Sequence, residues 1–345
     1  MTSTHLRTAT AAASDVGRKR SGNEDSYDIW VSDGSAGAHA ADTLLVVCDG
    51  MGGSNAGEVA SRMAAETVVR VFAADSSGDA VAALTHAIET ANEEVHEHGR
   101  SRVDLNGMGT TCTVVALKGD DVYLGHVGDS RAYLVRAGRI RQLTADHSLV
   151  AQLVARGQIT PAEAKTDPRR NVVTRSVGVG PTVDVDATHM PEPLEPGDTL
   201  LVCSDGLHGQ VSDHELAELA SHESLDRACR ELIALANDRG GPDNITVALA
   251  RLEPDEANPA PPRELERRSV ARADGTAADG STARRSAGGS RQRTLQLLIV
   301  ALLVLVLALC GIAWVVFARL RAERTTATSA KREAVPAGQE SVAWR

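Results

Sequence analysis

The stretch LLVVCDGMGG, residues 44–53, decides the fold that the sequence predicts. Its first five residues are apolar, rich in β-branched valine and too few for a useful helix, so they predict a strand that is buried on both faces. Asp49 follows directly, where this strand would reach the surface. The glycines after it allow a tight turn and let backbone carbonyls come close to a bound group.

A second stretch, LLVCSDG at residues 200–206, repeats this pattern much later in the chain. Other acidic residues also lie at the ends of predicted strands or in the turns beside them, and Arg20 precedes the first of them at close range. These residues are Glu24, Asp25, Asp49, Asp129, Asp205 and Asp243. We therefore expect one acidic cluster that is assembled from distant parts of the chain.

The segments between these carboxylates predict a mixture of short strands and helices. Residues 122–127 and 132–135 flank the turn at residues 128–130 and together predict a hairpin. Within residues 144–175, a short helix pattern around Leu149 to Val154 is followed by polar, basic sequence, which is typical of a surface flap. Residues 212–215, Ser-Asp-His-Glu, predict the start of a helix.

The composition excludes some classes of function. The chain has 345 residues, 42% of them hydrophobic, which is ample for a core. Only 2% are aromatic and the formal charge is −10, so binding to nucleic acid is not expected. The five cysteines stand singly in apolar runs, which indicates reduced thiols in a reducing compartment.

The cluster offers oxygen ligands only, which favours hard cations such as Mg²⁺ or Mn²⁺. Crowded carboxylates repel one another unless cations lie between them. Two bridged divalent ions would remove this repulsion and lower the pKa of a shared water, so that hydroxide is available near neutral pH. The guanidinium of Arg20 has the geometry to bind two phosphate oxygens. Together these groups indicate a phosphoester hydrolase.

Six motifs carry a resemblance to a known family. They are RSGNED at residues 20–25, DGMGG at 49–53, GMGTT at 107–111, GDSR at 128–131, SDGL at 204–207 and DNIT at 243–246. In this order they resemble the protein phosphatase 2C family, the metal-dependent serine/threonine phosphatases, and in particular its bacterial membrane-anchored members. The resemblance covers about residues 10–252. It implies an α+β fold, a four-layer αββα sandwich of two antiparallel sheets flanked by helices.

The resemblance also implies roles for individual residues. Asp49 is expected to bridge two ions, Mn²⁺ or Mg²⁺, and the backbone carbonyl of Gly50 to contribute a ligand. Asp205 and Asp243 are expected to bind the ions directly. Arg20 is expected to clamp the substrate phosphate, so Arg20 and Asp49 are the predicted catalytic residues.

Further residues are implied in the surroundings of the two ions. Glu24 and Asp25 are expected to hold metal-bound waters or to bind weakly. Asp129, joined by Asp205, would help to hold a third ion, and Asn171 in the flap is placed near that site. Asn244 is expected to orient Asp243 or a bound water.

Met51 departs from the animal members of the family, which carry a histidine after Asp-Gly as a proposed acid. Methionine cannot donate a proton, so the group that protonates the leaving alkoxide is not assigned. His126, His147 and His208 lie near the motifs, and we expect each of them to be a packed or surface histidine.

A membrane segment is predicted near the C-terminus. Residues 295–317 contain Gln296 as the only strongly polar member, and their length of about 34 Å as a helix would span a bilayer. A buried soluble helix is the alternative. Basic residues flank both ends, so charge does not decide the orientation. Because residues 1–13 lack a secretory signal, our hypothesis is that residues 1–294 stay cytoplasmic.

The predicted organisation therefore has five parts. They are a disordered N-terminus at residues 1–9, a phosphatase 2C-like catalytic domain at 10–253, a flexible linker at 254–293, a transmembrane helix at 294–318 and a short tail at 319–345.

The leading hypothesis is a single-pass cell-membrane enzyme that hydrolyses phosphoserine and phosphothreonine on proteins and opposes serine/threonine protein kinases. A first alternative is a pseudophosphatase that binds phosphoproteins without turnover; no bridging carboxylate is missing to favour it. A second alternative is a phosphatase dedicated to one partner-switching regulator, which would share the chemistry and differ only in its substrate.

Overall fold

The computed structural model describes residues 6–32, 41–52 and 56–254. The predicted linker, membrane helix and tail lie outside the described residues. None of the helices in the described part has the length and apolarity of a membrane span.

The strands of the described part follow one another through the chain. They are β1 (Leu6–Asp15), β2 (Asp25–Val31), β3 (Thr43–Met51), β4 (Gly109–Thr110), β5 (Cys112–Lys118), β6 (Asp121–Val127), β7 (Arg131–Arg136), β8 (Arg139–Gln142), β9 (Asp186–His189), β10 (Thr199–Cys203) and β11 (Ile245–Pro254). They form two antiparallel sheets, a five-stranded sheet in the order β1-β11-β10-β7-β8 and a six-stranded sheet in the order β2-β3-β5-β6-β9, in which β4 pairs with β3.

The helices lie between and after these strands. They are α1 (Ala56–Ala74), α2 (Ala80–Ser101), α3 (Leu149–Ala155), α4 (Pro161–Thr166), α5 (Asp205–His208), α6 (Asp213–Ala220) and α7 (Leu225–Asp238), with a 3₁₀ turn at Val103–Leu105. The helices α1 and α2 pack on the six-stranded sheet, and α6 and α7 pack on the five-stranded sheet. The predicted sandwich of two antiparallel sheets with flanking helices is confirmed.

Strand β3 shows why the deciding stretch is apolar throughout. Leu44 and Val46 join the core beneath α1 and α2, whereas Leu45 and Val47 join the core between the two sheets. All four side chains are fully buried. Because alternate side chains of a strand point to opposite faces, a strand with a core on each side needs an unbroken apolar run.

The predicted hairpin around residues 128–130 is wrong. Strand β6 pairs with β5 and β9 in one sheet, and β7 pairs with β10 and β8 in the other. The connection is therefore a crossing between sheets. Gly128 has φ +114°, and a Cβ on it would lie 2.6 Å from Thr111, so this crossing depends on a glycine.

The prediction of a disordered N-terminus is wrong for residues 6–9. Strand β1 begins at Leu6 and pairs antiparallel with β11 along its whole length. The partner strand supplies the backbone hydrogen bonds of this Thr- and Ala-rich segment, which has no strong strand signal of its own.

Candidate active site

The predicted acidic residues meet where strands of both sheets end. Asp25 and Asp49 are directly opposite each other in β2 and β3. Asp205 is the first residue of α5 and lies two residues after the end of β10, and Asp243 lies two residues before β11. Asp129 lies in the crossing between β6 and β7. Each of the other four carboxylates raises the pKa of Asp49 by its charge, so the five share one site.

Two threonines fix the backbone of Asp49. Its N–H donates to Thr111 Oγ1 at 2.8 Å, and its carbonyl accepts from the Thr111 N–H and from Thr110 Oγ1, both at 2.9 Å. Thr111 Oγ1 also shares a hydrogen bond of 2.7 Å with Ser130 Oγ, next to Asp129. No role is predicted for these threonines from the sequence, although their position in the motif GMGTT is a signal that points to them.

Asp25 is 7% exposed and has one satisfied oxygen. Its Oδ2 accepts a hydrogen bond of 2.7 Å from Ser204 Oγ. Its Oδ1 is buried and has no hydrogen-bond partner among the described residues. A buried carboxylate oxygen without a partner is costly, so this atom calls for a cation or a water. Ser204 belongs to the motif SDGL, from which no role for its hydroxyl group is predicted.

Arg20 lies at the edge of the cluster. Its Nη2 donates to Asp243 Oδ2 at 2.8 Å, and its Nη1 lies 3.9 Å from Glu24 Oε2. The hydrogen bond to Asp243 is the largest cause that raises the pKa of Arg20. The side chain remains 47% exposed, so part of the guanidinium is open to a ligand from solvent.

Asn244 holds the segment that carries Arg20. Its Oδ1 accepts the Glu24 N–H at 2.8 Å, and its Nδ2 donates to the carbonyls of Val16 and Gly22 at 2.9 Å. Its own backbone N–H donates to Asp243 Oδ1 at 2.9 Å. The side chain thus orients residues 16–24, while the main chain orients Asp243.

Two glycines let backbones approach at the site. A Cβ on Gly206 would lie 1.9 Å from the carbonyl oxygen of Asn244, and one on Gly50 would lie 2.2 Å from the carbonyl oxygen of Gly57. No Cβ fits at such distances. The glycine of each Asp-Gly pair is therefore required by the neighbouring main chain.

Burial makes the charged form of these carboxylates unfavourable. It is the largest cause that raises the pKa of Asp25 and Asp129 to about 7 and that of Asp205 to about 6. The pKa of Asp49 is raised well above its usual value, first by burial and then by the charge of Asp25. Burial also raises the pKa of Glu24. The cluster is therefore short of positive charge at neutral pH.

The three histidines near the motifs are packed and hydrogen-bonded. His208 donates from Nε2 to the Asp129 carbonyl at 3.0 Å. His147 accepts the Gly128 N–H at Nδ1, 3.0 Å away, so its Nε2 carries the proton. Burial lowers the pKa of His126 and His208 to about 4. They are neutral structural groups near pH 7.

Asn171 and Met51 make no hydrogen bond to the acidic residues in the described part of the chain. Asn171 is exposed in the turn that follows α4. Met51 is the last residue of β3 and is half-buried beside Gly109.

The residues present fit divalent cations. In the described ranges, no group of three or more His, Cys, Asp or Glu side chains is placed so that it could hold a metal ion as it stands. Mg²⁺ and ions like it keep several waters and need only one or two protein carboxylates each, so an open arrangement suits them. The unpartnered Asp25 Oδ1 and the raised pKa values show where added positive charge would be stabilising.

Comparison with known proteins identifies the family. The family model for protein phosphatase 2C matches residues 18–250. The chain belongs to the protein phosphatase 2C family. Protein phosphatase PhpP of Streptococcus pneumoniae is 37% identical over 248 residues, which cover 70% of this chain and 97% of PhpP.

Other serine/threonine phosphatases are similar to this chain over comparable lengths. The serine/threonine phosphatase stp of Listeria monocytogenes is 39% identical over 245 residues, which cover 68% of this chain and 92% of stp. A crystal structure of the catalytic domain of the serine/threonine protein phosphatase PstP, in complex with two manganese ions, is similar with a TM-score of 0.62 and 37% identity. The match covers 72% of this chain and 99% of that domain.

Proposed function

We propose that this chain is a metal-dependent protein serine/threonine phosphatase. The observation that carries the proposal is the group of five aspartates beside Arg20, of which Asp25 and Asp129 are buried and the others half-buried. Burial and mutual repulsion raise the pKa values of four of these carboxylates. Such a group binds divalent cations and, with an adjacent guanidinium, a phosphate ester. Relatives that match over nearly their whole length are protein phosphatases.

The proposed ligands of two Mn²⁺ or Mg²⁺ ions are Asp49, the carbonyl of Gly50, Asp205 and Asp243. When bound, such ions lower the pKa of a water and offset the charge of the phosphate. Thr111 holds the main chain of Asp49 in place.

Glu24 and Asp25 are proposed to act around these ions through water. Asp129 is proposed, with Asp205, for a third ion. His208 holds the carbonyl of Asp129, which fixes the position of that residue. Asn171 is proposed to lie near this third ion.

Arg20 is proposed to bind two oxygens of the substrate phosphate. Its Nη2 is engaged by Asp243, and the rest of the guanidinium is open to solvent. Asn244 holds the segment that carries Arg20, which limits the movement of the guanidinium before substrate arrives.

We also propose that residues 295–317 anchor the protein in the cell membrane with the catalytic domain in the cytoplasm. There it would oppose serine/threonine kinases and act on their substrates. The long apolar run supports this proposal. A reporter fused after Arg345 is expected to lie outside the cytoplasm, and a cytoplasmic reporter would contradict the orientation.

The function is tested with residues 1–265, a compact unit that contains all described residues. A fragment of this kind is expected to fold alone because the matched region makes up 97% of PhpP. With Mn²⁺ it should release phosphate from a phosphothreonine peptide, and EDTA should abolish the release. Asp49→Asn should lower turnover by about three orders of magnitude or more. Asp120→Asn, the same change in an exposed turn, is the control.

The outcomes separate the alternatives. Release that is equal with EDTA and with Mn²⁺, or full activity in Asp49→Asn, would refute the proposed site. Tight binding of the phosphopeptide without any release would instead support a pseudophosphatase. Circular dichroism of each variant shows whether a loss of activity reflects a loss of fold.

A further inference from the structure

Two exposed basic residues precede Arg20 and are not used by the proposed chemistry. Arg18 and Lys19, here called the basic turn, follow Gly17 in the loop between β1 and β2. They stand at the edge of an acidic cluster in a chain whose formal charge is −10. The sign of the charge is therefore reversed locally at the edge of the site.

The basic turn is held firmly against the site. Gly17 has φ +78°, and a Cβ on it would lie 2.1 Å from the carbonyl oxygen of Asp243. The Gly17 N–H donates to Asp15 Oδ1 at 2.9 Å, and the Arg18 N–H donates to the Gly241 carbonyl at 2.7 Å. The main chain of the turn is thus fixed to the loop that carries Asp243.

The charges of the basic turn are not used within the described structure. Both side chains are exposed, and neither forms an ion pair with an acidic residue in the described ranges. Arg18 contributes to lowering the pKa of Asp15, but that carboxylate is already held by Gly17 and Asn237. By contrast, Arg20 is bound to Asp243.

We propose that the basic turn binds a second anionic group of the substrate, close in sequence to the phosphorylated residue. The inference rests on the proposed function, which places the scissile phosphate at Arg20. An extended peptide advances roughly 3.3 Å per residue, and Cα atoms of the turn lie roughly 4–7 Å from that of Arg20. Groups one to three residues from the phosphorylated residue are therefore within reach of these long side chains.

The chemistry of the turn defines the ligand class. The guanidinium of Arg18 suits a phosphate or carboxylate through two parallel hydrogen bonds, and Lys19 adds a mobile point charge. The substrate would be a protein segment with a second phosphate or with Asp or Glu beside the phosphorylated residue. Attraction at the turn also offsets the repulsion between such a segment and the acidic cluster.

Three peptides test the inference on the fragment of residues 1–265 with saturating Mn²⁺. They share one phosphothreonine, and their flanks carry alanine, glutamate or a second phosphothreonine made resistant as a phosphonate. The ratio of kcat/KM for an anionic flank to that for the alanine flank is expected to be about ten in the native chain, mainly through KM. The glutamate and phosphonate arms distinguish carboxylate from phosphate recognition.

Arg18→Ala with Lys19→Ala should bring this ratio close to one, and Arg18→Glu with Lys19→Glu should bring it below one. The control is Lys118→Ala with Arg139→Ala, which removes the same charge far from the site. Strand β5 starts beside the site at Cys112 and ends at Lys118. Strand β7 likewise starts near the site at Arg131, and Arg139 comes after its other end, as the first residue of β8. The control should keep the ratio of the native chain.

The outcomes are distinct from those for the function itself. If the native chain hydrolyses none of the peptides, the proposed function fails. If it hydrolyses all three with equal kcat/KM, or if the alanine pair keeps the native ratio, the inference about the basic turn is wrong. An equal fall in the ratio for the control pair would also refute it, because the effect would then be one of net charge.

Discussion

Asp25→Asn is expected to change stability in opposite directions with and without divalent cations. The carboxylate is buried, one of its oxygens has no hydrogen-bond partner among the described residues, and its pKa is raised to about 7. Without cations, ionisation of Asp25 destabilises the folded state. With cations, the same charge is one of those that attract them.

Proton binding determines whether the free energy of unfolding rises or falls with pH. Between pH 3.8 and about 7 the folded chain holds a proton on Asp25 that the unfolded chain has lost, so the free energy of unfolding falls as pH rises. A difference of about three pH units in pKa corresponds to roughly 4 kcal/mol, and about 2.5 kcal/mol of this falls between pH 5 and pH 8. Asp129 and Asp205 act in the same direction in the native chain.

The assay is urea unfolding of residues 1–265 at pH 5 and pH 8. In EDTA, Asp25→Asn should lose about 2 kcal/mol less than the native chain over this interval, because the amide cannot ionise but still accepts from Ser204. At pH 8, added Mn²⁺ should stabilise the native chain more than the variant. Asp120→Asn, in an exposed turn, is the control and should match the native chain.

Two results would refute this reasoning. One is an Asp25→Asn variant with the same pH dependence as the native chain in EDTA, since the carboxylate would then have an ordinary pKa. The other is equal stabilisation of both proteins by Mn²⁺, since Asp25 would then lie outside the field of the bound ions.

Three further predictions concern single side chains. Arg20→Ala should raise KM for a phosphothreonine peptide by about tenfold to a hundredfold in steady-state assays, because a charge-assisted contact to phosphate is lost; an unchanged KM would exclude the clamp. Gly206→Ala should lower the free energy of unfolding by about 3 kcal/mol or more, because a Cβ would lie 1.9 Å from the Asn244 carbonyl oxygen. Gly22→Ala is its control: no described atom lies within 4 Å of a Cβ there, so in thermal melts its free energy of unfolding should stay within about 0.5 kcal/mol of the native value. His126, with a pKa lowered to about 4, should cost the native chain up to about 3 kcal/mol as pH falls from 6.5 to 4, and His126→Asn should flatten that part of the stability curve in urea titrations.

Strands that are buried on both faces are predictable from the sequence, because such burial requires an apolar run. Strand β3 packs against a core on each face, so an unbroken apolar run predicts its burial. The start of α6 is equally local, since Ser212 and Glu215 form the reciprocal cap that their spacing predicts. In both cases the pattern and the final environment agree.

Two predictions are wrong where strand pairing depends on partners that are distant in sequence. A short Gly-Asp-Ser link between two apolar strands is typical of a hairpin, but each strand finds its partners elsewhere and the link crosses between sheets. Likewise, residues 6–9 become a strand because β11 is available to pair with them. No local pattern records the location of such a partner.

The candidate site shows the same division. The acidic residues stand out because an Asp-Gly after a buried strand is a strong local signal. Thr111, Ser130 and Ser204 do not stand out, because a hydroxyl group in a sequence gives no indication that it will hold a carboxylate or its main chain. Positioning groups of this kind are visible only once the distant segments are brought together.

The placement of the carboxylates suggests why the site lies between the sheets. Asp25 and Asp49 belong to the six-stranded sheet, whereas Asp205 and Asp243 adjoin the strands β10 and β11 of the other sheet. Repulsion among ionised aspartates acts to separate the two sheets at this end, and each cation bound between them reverses that force. Ion binding and the closure of the sandwich are therefore coupled through the same side chains, so a change that loosens the contact between the sheets should weaken ion binding even when every ligand is retained.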